Sequence, residues 1–163
     1  LGGSFDPAHK GHLAISKEAR KRFKLEKIIW AITKKNPLKA ESKTPISKKI
    51  KDCKKIIGLN SFIKVKFYEN IIKSNKTIDL INYLKKNKNI EIFFLMGADN
   101  LINFHKWHKS KLISQKCNIL VFDRHGYKKS SLKSKTFKEL NKSILTFVEF
   151  EKVNISSSQL RKI

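Results

Sequence analysis

Residues 1–33 read LGGSFDPAHKGHLAISKEARKRFKLEKIIWAIT. Leu1 reads as the last residue of a strand. Gly2 and Gly3 let the backbone turn sharply and approach a ligand closely, and Asp6-Pro7 makes a fixed turn. Residues 11–24 then carry Leu13, Ala14, Ala19 and Phe23 near one side of an amphipathic helix. Residues 27–33 (KIIWAIT) read as a buried strand.

The same alternation continues along the chain. A polar loop at 34–45 contains Pro37 and Pro45, and a helix at about 46–58 spaces Ile46, Ile50, Cys53 and Ile57 on one face. Residues 62–68 alternate like a strand, and Thr77 is placed to cap a helix from Ile78 to about Lys86. The apolar run at 90–96 (IEIFFLM) is a strand, short helices follow at 99–104 and 109–116, and 118–123 (NILVFD) is a further strand. Residues 125–135 read as a polar loop, 136–142 as a short helix and 145–150 as a last strand, with Ser157 or Ser158 opening a terminal helix. Strands this apolar, separated by helices, predict a parallel sheet covered on both faces. The expected fold is therefore α/β: a Rossmann-like, doubly wound, mainly parallel sheet with helices on both faces, in a single domain over 1–163. A few residues are expected to be missing before Leu1, and some helix after Ile163. In such sheets ligands sit outside the carboxyl ends of the strands, so functional residues should follow strands.

Composition narrows the class. The chain has 163 residues, 40% of them hydrophobic, which suffices for one core. No apolar run approaches the ~20 residues of a membrane span. Cys53 and Cys117 have no CxxC partner and fit a reducing cytoplasm. The net charge is +24, which invites a nucleic-acid reading. Only Arg20, Arg22, Arg124 and Arg161 are arginines, however, and the lysines are scattered along the whole chain. Abundant Lys, Ile and Asn together indicate an AT-rich coding sequence. No specific nucleic acid and no membrane is expected as a partner, although the field should attract anionic metabolites.

Two stretches carry chemistry. In the first, His9 and His12 stand three apart, so one helical turn can aim both at the same spot, and Gly11 leaves room beside them. A helix N-terminus there suits phosphate, with the imidazoles as donors that stabilise transition-state charge. A zinc site would need further ligands that no Cys or carboxylate cluster supplies, so no metal site is expected. The second stretch is Asn154-Ile155-Ser156-Ser157-Ser158-Gln159-Leu160-Arg161. Its hydroxyls, backbone donors and guanidinium suit a triphosphate.

The first stretch resembles the (G/T)-x-F-D-P-x-H-x-G-H signature of the nucleotidyltransferases, and the second resembles their I-S-S-[ST]-x-[IL]-R signature. Between them, Met96-Gly97-Ala98-Asp99-Asn100 with Phe104-His105-Lys106-Trp107-His108 is similar to the G-[AQ]-D-[NS]-x-x-x-[FL]-x-x-W stretch of bacterial nicotinate-nucleotide adenylyltransferases. Asn36-Pro37-Leu38-Lys39 resembles their N-x-P-x-K loop. Asn75-Lys76-Thr77-Ile78-Asp79 resembles their S-Y-T-[IV]-D segment, with Lys76 where an aromatic is usual, and Asp123-Arg124-His125-Gly126-Tyr127 resembles their R-[PH]-G-[YF].

That resemblance implies transfer of AMP from ATP to nicotinate mononucleotide, with Mg²⁺ arriving on ATP. It implies that His9, His12 and Arg161 act in catalysis. It places Gly3, Ser4, Phe5, Gly11, Gly97, Asp99, Arg124, Ser157 and Ser158 with them around ATP, and Lys39, Thr77, Trp107 and His108 around the nicotinate nucleotide. Each has a plainer alternative: a helix N-cap for Asp99, a core residue for Trp107, a solvated side chain for Lys39. His105 and His108 enter only because they flank Trp107. A sister enzyme such as pantetheine-phosphate adenylyltransferase or a cytidylyltransferase shares both end signatures. An aminoacyl-tRNA synthetase would need tRNA-binding domains for which 163 residues leave no room, and a non-enzymatic nucleic-acid binder would rest on charge alone. Oligomeric state is left open.

Overall fold

The computed structural model describes residues 1–34, 42–87 and 89–150. The described residues divide into two compact units, Leu1–Asn75 and residues 76–150. Each is built around a three-stranded parallel sheet.

The first unit runs β1 (Gly2–Gly3), α1 (Lys10–Phe23), β2 (Ile28–Ile32), α2 (Ile46–Ile57), β3 (Ile63–Lys66) and a single turn α3 (Glu69–Ile72). Its strand order is β1-β2-β3, with Gly3 opposite Ile32 and Trp30 opposite Val65. β2 alternates as the period of a strand requires, burying Ile28, Trp30 and Ile32. α1 turns Ser16 and Ala19 inward, three residues apart, and α2 turns Lys49, Cys53 and Ile57 inward, four apart; both spacings keep to one helical face. α2 stops where Gly58 takes φ 56 and ψ −125, a positive-φ conformation that glycine adopts without penalty.

The second unit runs α4 (Thr77–Leu84), β4 (Phe93–Gly97), α5 (Ala98–Leu101), a 3₁₀ turn (Phe104–Lys106), α6 (Ser110–Lys116), β5 (Asn118–Phe122), α7 (Lys128–Leu132), α8 (Lys135–Glu139) and β6 (Leu145–Val148). Its strand order is β4-β5-β6, with Phe94 on Ile119 and Ile119 on Leu145. β5 is buried from Ile119 to Phe122, so it reads as a continuous apolar run rather than an alternation. Ile78 and Ile81 of α4, Leu101 of α5 and Ile113 of α6 close the core against β4 and β5.

Several expected elements shift. The strand expected from residue 90 begins at Phe93. The helix expected at 99–104 divides into α5 and the 3₁₀ turn. Within the expected polar loop 125–135 lies α7, whose Ser131 is fully buried; a serine-rich helix has no apolar period to betray it. Thr77 is the first residue of α4 rather than its cap: Lys76 holds the capping position and makes no side-chain capping bond, and the helix ends at Leu84. The terminal helix expected at Ser157 or Ser158 lies outside the described residues. Among the described residues no helix is long and apolar enough to cross a membrane.

Candidate active site

The glycine-histidine stretch lies where β1 ends and α1 begins. His9 is the N-cap of α1, a position where Ser, Thr, Asp or Asn is usual. Its Nδ1 accepts the Gly11 N–H at 3.1 Å, and His12 Nδ1 accepts the His9 N–H at 3.1 Å. The two histidines thus form a reciprocal capping box, and their ring centroids are 3.8 Å apart. A nitrogen that accepts a hydrogen bond carries no hydrogen. In the neutral ring this arrangement therefore fixes the Nε2–H tautomer on both imidazoles. The spacing of three that suggested two converging imidazoles has a second purpose, the cap itself.

A buried platform sets the orientation of His12. Phe5, only 2% exposed, stacks on Trp30 with centroids 5.1 Å apart and meets the His12 ring at 4.6 Å. Trp30 Nε1–H donates to Ser16 Oγ at 2.8 Å, and Ser16 Oγ–H donates to the His12 carbonyl at 2.8 Å. Phe5 holds φ 47, a conformation uncommon outside glycine and found where surrounding structure over-determines it. The Phe5 ring lies over Gly3, where a Cβ would stand 3.6 Å from it, at ordinary van der Waals contact. Asp6 is gripped by two hydroxyls, Ser42 and Thr44, each donating at 2.6 Å. Ser16, Trp30, Ser42 and Thr44 were not legible as site residues. Only the serine four positions after His12, on its helical face, hinted at one of them.

In the second unit the site residues gather at the carboxyl end of β4. Asp99 Oδ2 accepts from Arg124 Nη1 at 2.7 Å. Its other oxygen, Oδ1, is buried without a hydrogen-bond partner among the described residues, and an unsatisfied buried acceptor calls for a ligand or water donor. Gly97 makes this possible, because a Cβ there would stand 2.6 Å from Asp99 Oδ1. Gly97, not Asp99, is the cap of α5, and Asp99 is that helix's second residue. Trp107 packs edge-on against Phe94, with ring centroids 5.9 Å apart, and tilted against Phe104 at 5.2 Å. It is half-buried on the core, while His105 and His108 beside it are exposed. Thr77 is half-buried at the start of α4.

The described site residues therefore form two groups. Gly3, Ser4, Phe5, His9, Gly11 and His12 belong to the first unit, and Thr77, Gly97, Asp99, Trp107, His108 and Arg124 to the second. Lys39, Ser157, Ser158 and Arg161 lie outside the described residues. Among those described, no cluster of three or more His, Cys, Asp or Glu side chains could hold a metal ion. Both thiols are buried; burial pushes Cys53 up to about 12, helped by Asp52 and opposed by Lys49, and pushes Cys117 up to about 11.

Known proteins bear on this arrangement. The chain is 68% identical over its whole length to a probable nicotinate-nucleotide adenylyltransferase of Pelagibacter ubique (strain HTCC1062), of which it covers 91%. It is 34% identical to a protein of the same description from Rhizobium johnstonii over 83% of this chain and 68% of that one. Its fold matches the Plasmodium falciparum nicotinic acid mononucleotide adenylyltransferase complexed with NaAD, with a TM-score of 0.78 and 21% identity over 99% of this chain and 80% of that chain. The fold is α/β and Rossmann-like. With the cytidylyltransferase-like family model matching residues 1–163, the chain belongs to the cytidylyltransferase-like nucleotidyltransferases.

Proposed function

We infer that this protein is a nicotinate-nucleotide adenylyltransferase, transferring AMP from ATP to nicotinate mononucleotide with release of pyrophosphate, a step in building a pyridine dinucleotide. The observation that carries this reading is the whole-length 68% identity to a relative of that description, together with the Gly97-Ala98-Asp99 and Trp107 stretch that separates this branch from its sisters. The two buried, unbridged cysteines support a reducing, cytoplasmic setting.

The chemistry needs no covalent enzyme intermediate. A phosphate oxygen of the mononucleotide forms a bond to the α-phosphorus of ATP, and the bond from that phosphorus to the bridging oxygen of pyrophosphate breaks. The protein positions the partners and stabilises charge. His9 and His12, held as Nε2–H tautomers by their cap, donate to the phosphate oxygens as charge moves onto pyrophosphate. Gly3 and Ser4 bring backbone close to the phosphates, and Ser157, Ser158 and Arg161 add donors. Asp99 Oδ1, the buried acceptor without a partner, suits a ribose hydroxyl, with Arg124 holding the carboxylate. Thr77, Lys39, Trp107 and His108 are assigned to the nicotinate nucleotide. Mg²⁺ enters as a passenger of the triphosphate, where it neutralises phosphate charge; a donor set rich in imidazole and guanidinium suits the phosphates rather than a resident hard cation.

The test is pyrophosphate release from Mg²⁺–ATP with nicotinate mononucleotide, nicotinamide mononucleotide or phosphopantetheine as acceptor. Release with nicotinate mononucleotide, above that with the amide, is expected. Release with phosphopantetheine instead would move the activity to the sister enzyme, and no release with any acceptor would refute adenylyl transfer to these compounds.

A further inference from the structure

Lys49 is the one charged side chain among the described residues that is buried, at 1% exposure. Lysines are almost never fully buried without a partner, because desolvating the ammonium is costly. For covering the sheet alone an apolar side chain would serve better, as Ile57 does two turns further along the same face of α2. The position of the ammonium offers a reason for it. Lys49 Nζ donates to the Thr33 carbonyl at 3.4 Å, at the residue that follows β2 at its carboxyl end. The Thr33 N–H donates in turn to the Gly3 carbonyl at 2.9 Å, on the last residue of β1. The Thr33 hydroxyl donates to the Glu69 carboxylate, and the Lys34 N–H donates to the same carboxylate at 3.3 Å. The carboxyl ends of β1 and β2 and the residues after β3 are thereby tied at one place, with Lys49 beneath it. The approach to α2 grips the same loop a second time, through Ser42 and Thr44 on Asp6.

We propose that Lys49 is a positioning residue for the transfer reaction: its buried ammonium holds Thr33, Thr33 holds Gly3, and Gly3 sets the loop that delivers His9 and His12. The proposal rests on the adenylyl-transfer reading. It places Lys49 at the carboxyl-end side of the sheet, where the site lies, with no contact to substrate required of it.

The test compares Lys49→Met, similar in length but uncharged, with Lys49→Arg. For Lys49→Met, kcat per folded molecule should fall about 30- to 100-fold, the scale of a misplacement of about 1 Å. KM for either substrate should stay within about threefold, and Lys49→Arg should recover most of the loss. A second readout needs no turnover: the imidazole ¹⁵N spectrum of the ligand-free protein should show His9 and His12 leaving their fixed tautomer in Lys49→Met and keeping it in Lys49→Arg. If Lys49→Met lowers only the melting temperature, leaving kcat and the imidazole spectrum unchanged, Lys49 is packing and the proposal is wrong. If the wild type transfers no adenylyl group, the functional reading fails, and the spectrum alone decides whether Lys49 positions the histidines. Should Lys49→Met not fold, Lys49→Gln carries the same comparison with the same two outcomes.

Discussion

Replacing Gly97 by Ala separates stability from function in this protein. The backbone at Gly97 has φ −79 and ψ 157, which alanine adopts without strain. The added Cβ would stand 2.6 Å from Asp99 Oδ1, so the carboxylate must swing away. Its oxygen is the end of a side chain, so the move is cheap for the fold. Alanine itself gains about 0.4–1 kcal/mol by restricting the unfolded chain. The partly exposed Asp99–Arg124 pair that is disturbed is worth about 0–1 kcal/mol. Stability should therefore change by less than about 1 kcal/mol, a shift of at most ~2–4 °C for a chain of this size. The functional loss is larger. A hydrogen bond to a charged acceptor is worth about 1.5–3 kcal/mol, or roughly 10- to 150-fold in kcat/KM for ATP. The assay is pyrophosphate release with ATP varied, repeated with 2′-deoxy- and 3′-deoxy-ATP beside a melting curve. The wild type should discriminate against one deoxynucleotide by that factor, and Gly97→Ala should no longer do so. Full activity of Gly97→Ala, or a wild type indifferent to both deoxynucleotides, would remove Asp99 from the ribose.

Other outcomes follow from the same geometry. His12→Ala should lower kcat about 10²- to 10³-fold, the scale of one lost charge-stabilising donor; His12→Asn, which can still accept the His9 N–H, should retain the fold without recovering that rate, as melting curves beside steady-state rates will show. Ser16→Ala leaves the buried Trp30 indole N–H without its acceptor, at a cost of about 1–3 kcal/mol in denaturant unfolding. Cys53 and Cys117 should resist a thiol reagent at neutral pH until the chain unfolds, because burial keeps both protonated. Their raised values also set a sign: the unfolded thiols ionise near pH 9.0 while the folded ones do not, so this contribution to stability is present below pH 9.0 and is lost as pH rises toward about 11 and 12. Urea midpoints measured between pH 8 and pH 11 check it.

Much of the fold was legible because its signals are local. The apolar run of β5, the helical periods of α1 and α2 and the polar connections each lie within a dozen residues, and order alone then implies parallel strands. α7 was hidden, since Lys128-Lys129-Ser130-Ser131-Leu132 has no apolar face and is folded by what packs on Ser131. The residue types of the first stretch pointed to phosphate chemistry, while the roles that His9 and His12 share as helix caps did not show, because a tautomer depends on which backbone N–H faces which nitrogen.

By itself, then, the sequence determined the alternation of strands and helices, the motifs and, through them, the family. Partners far apart in the chain were decided by the tertiary structure alone. Trp30 under Phe5, Arg124 on Asp99 and Lys49 beneath Thr33 join residues 16 to 25 positions apart. Their hydrogen bonds and stacking depend on side-chain directions that exist only once parallel strands bring their carboxyl ends side by side. A lysine at position 49 carries no mark in the sequence that separates it from its many neighbours of the same type. Burial makes the difference, and burial is a property of the folded chain.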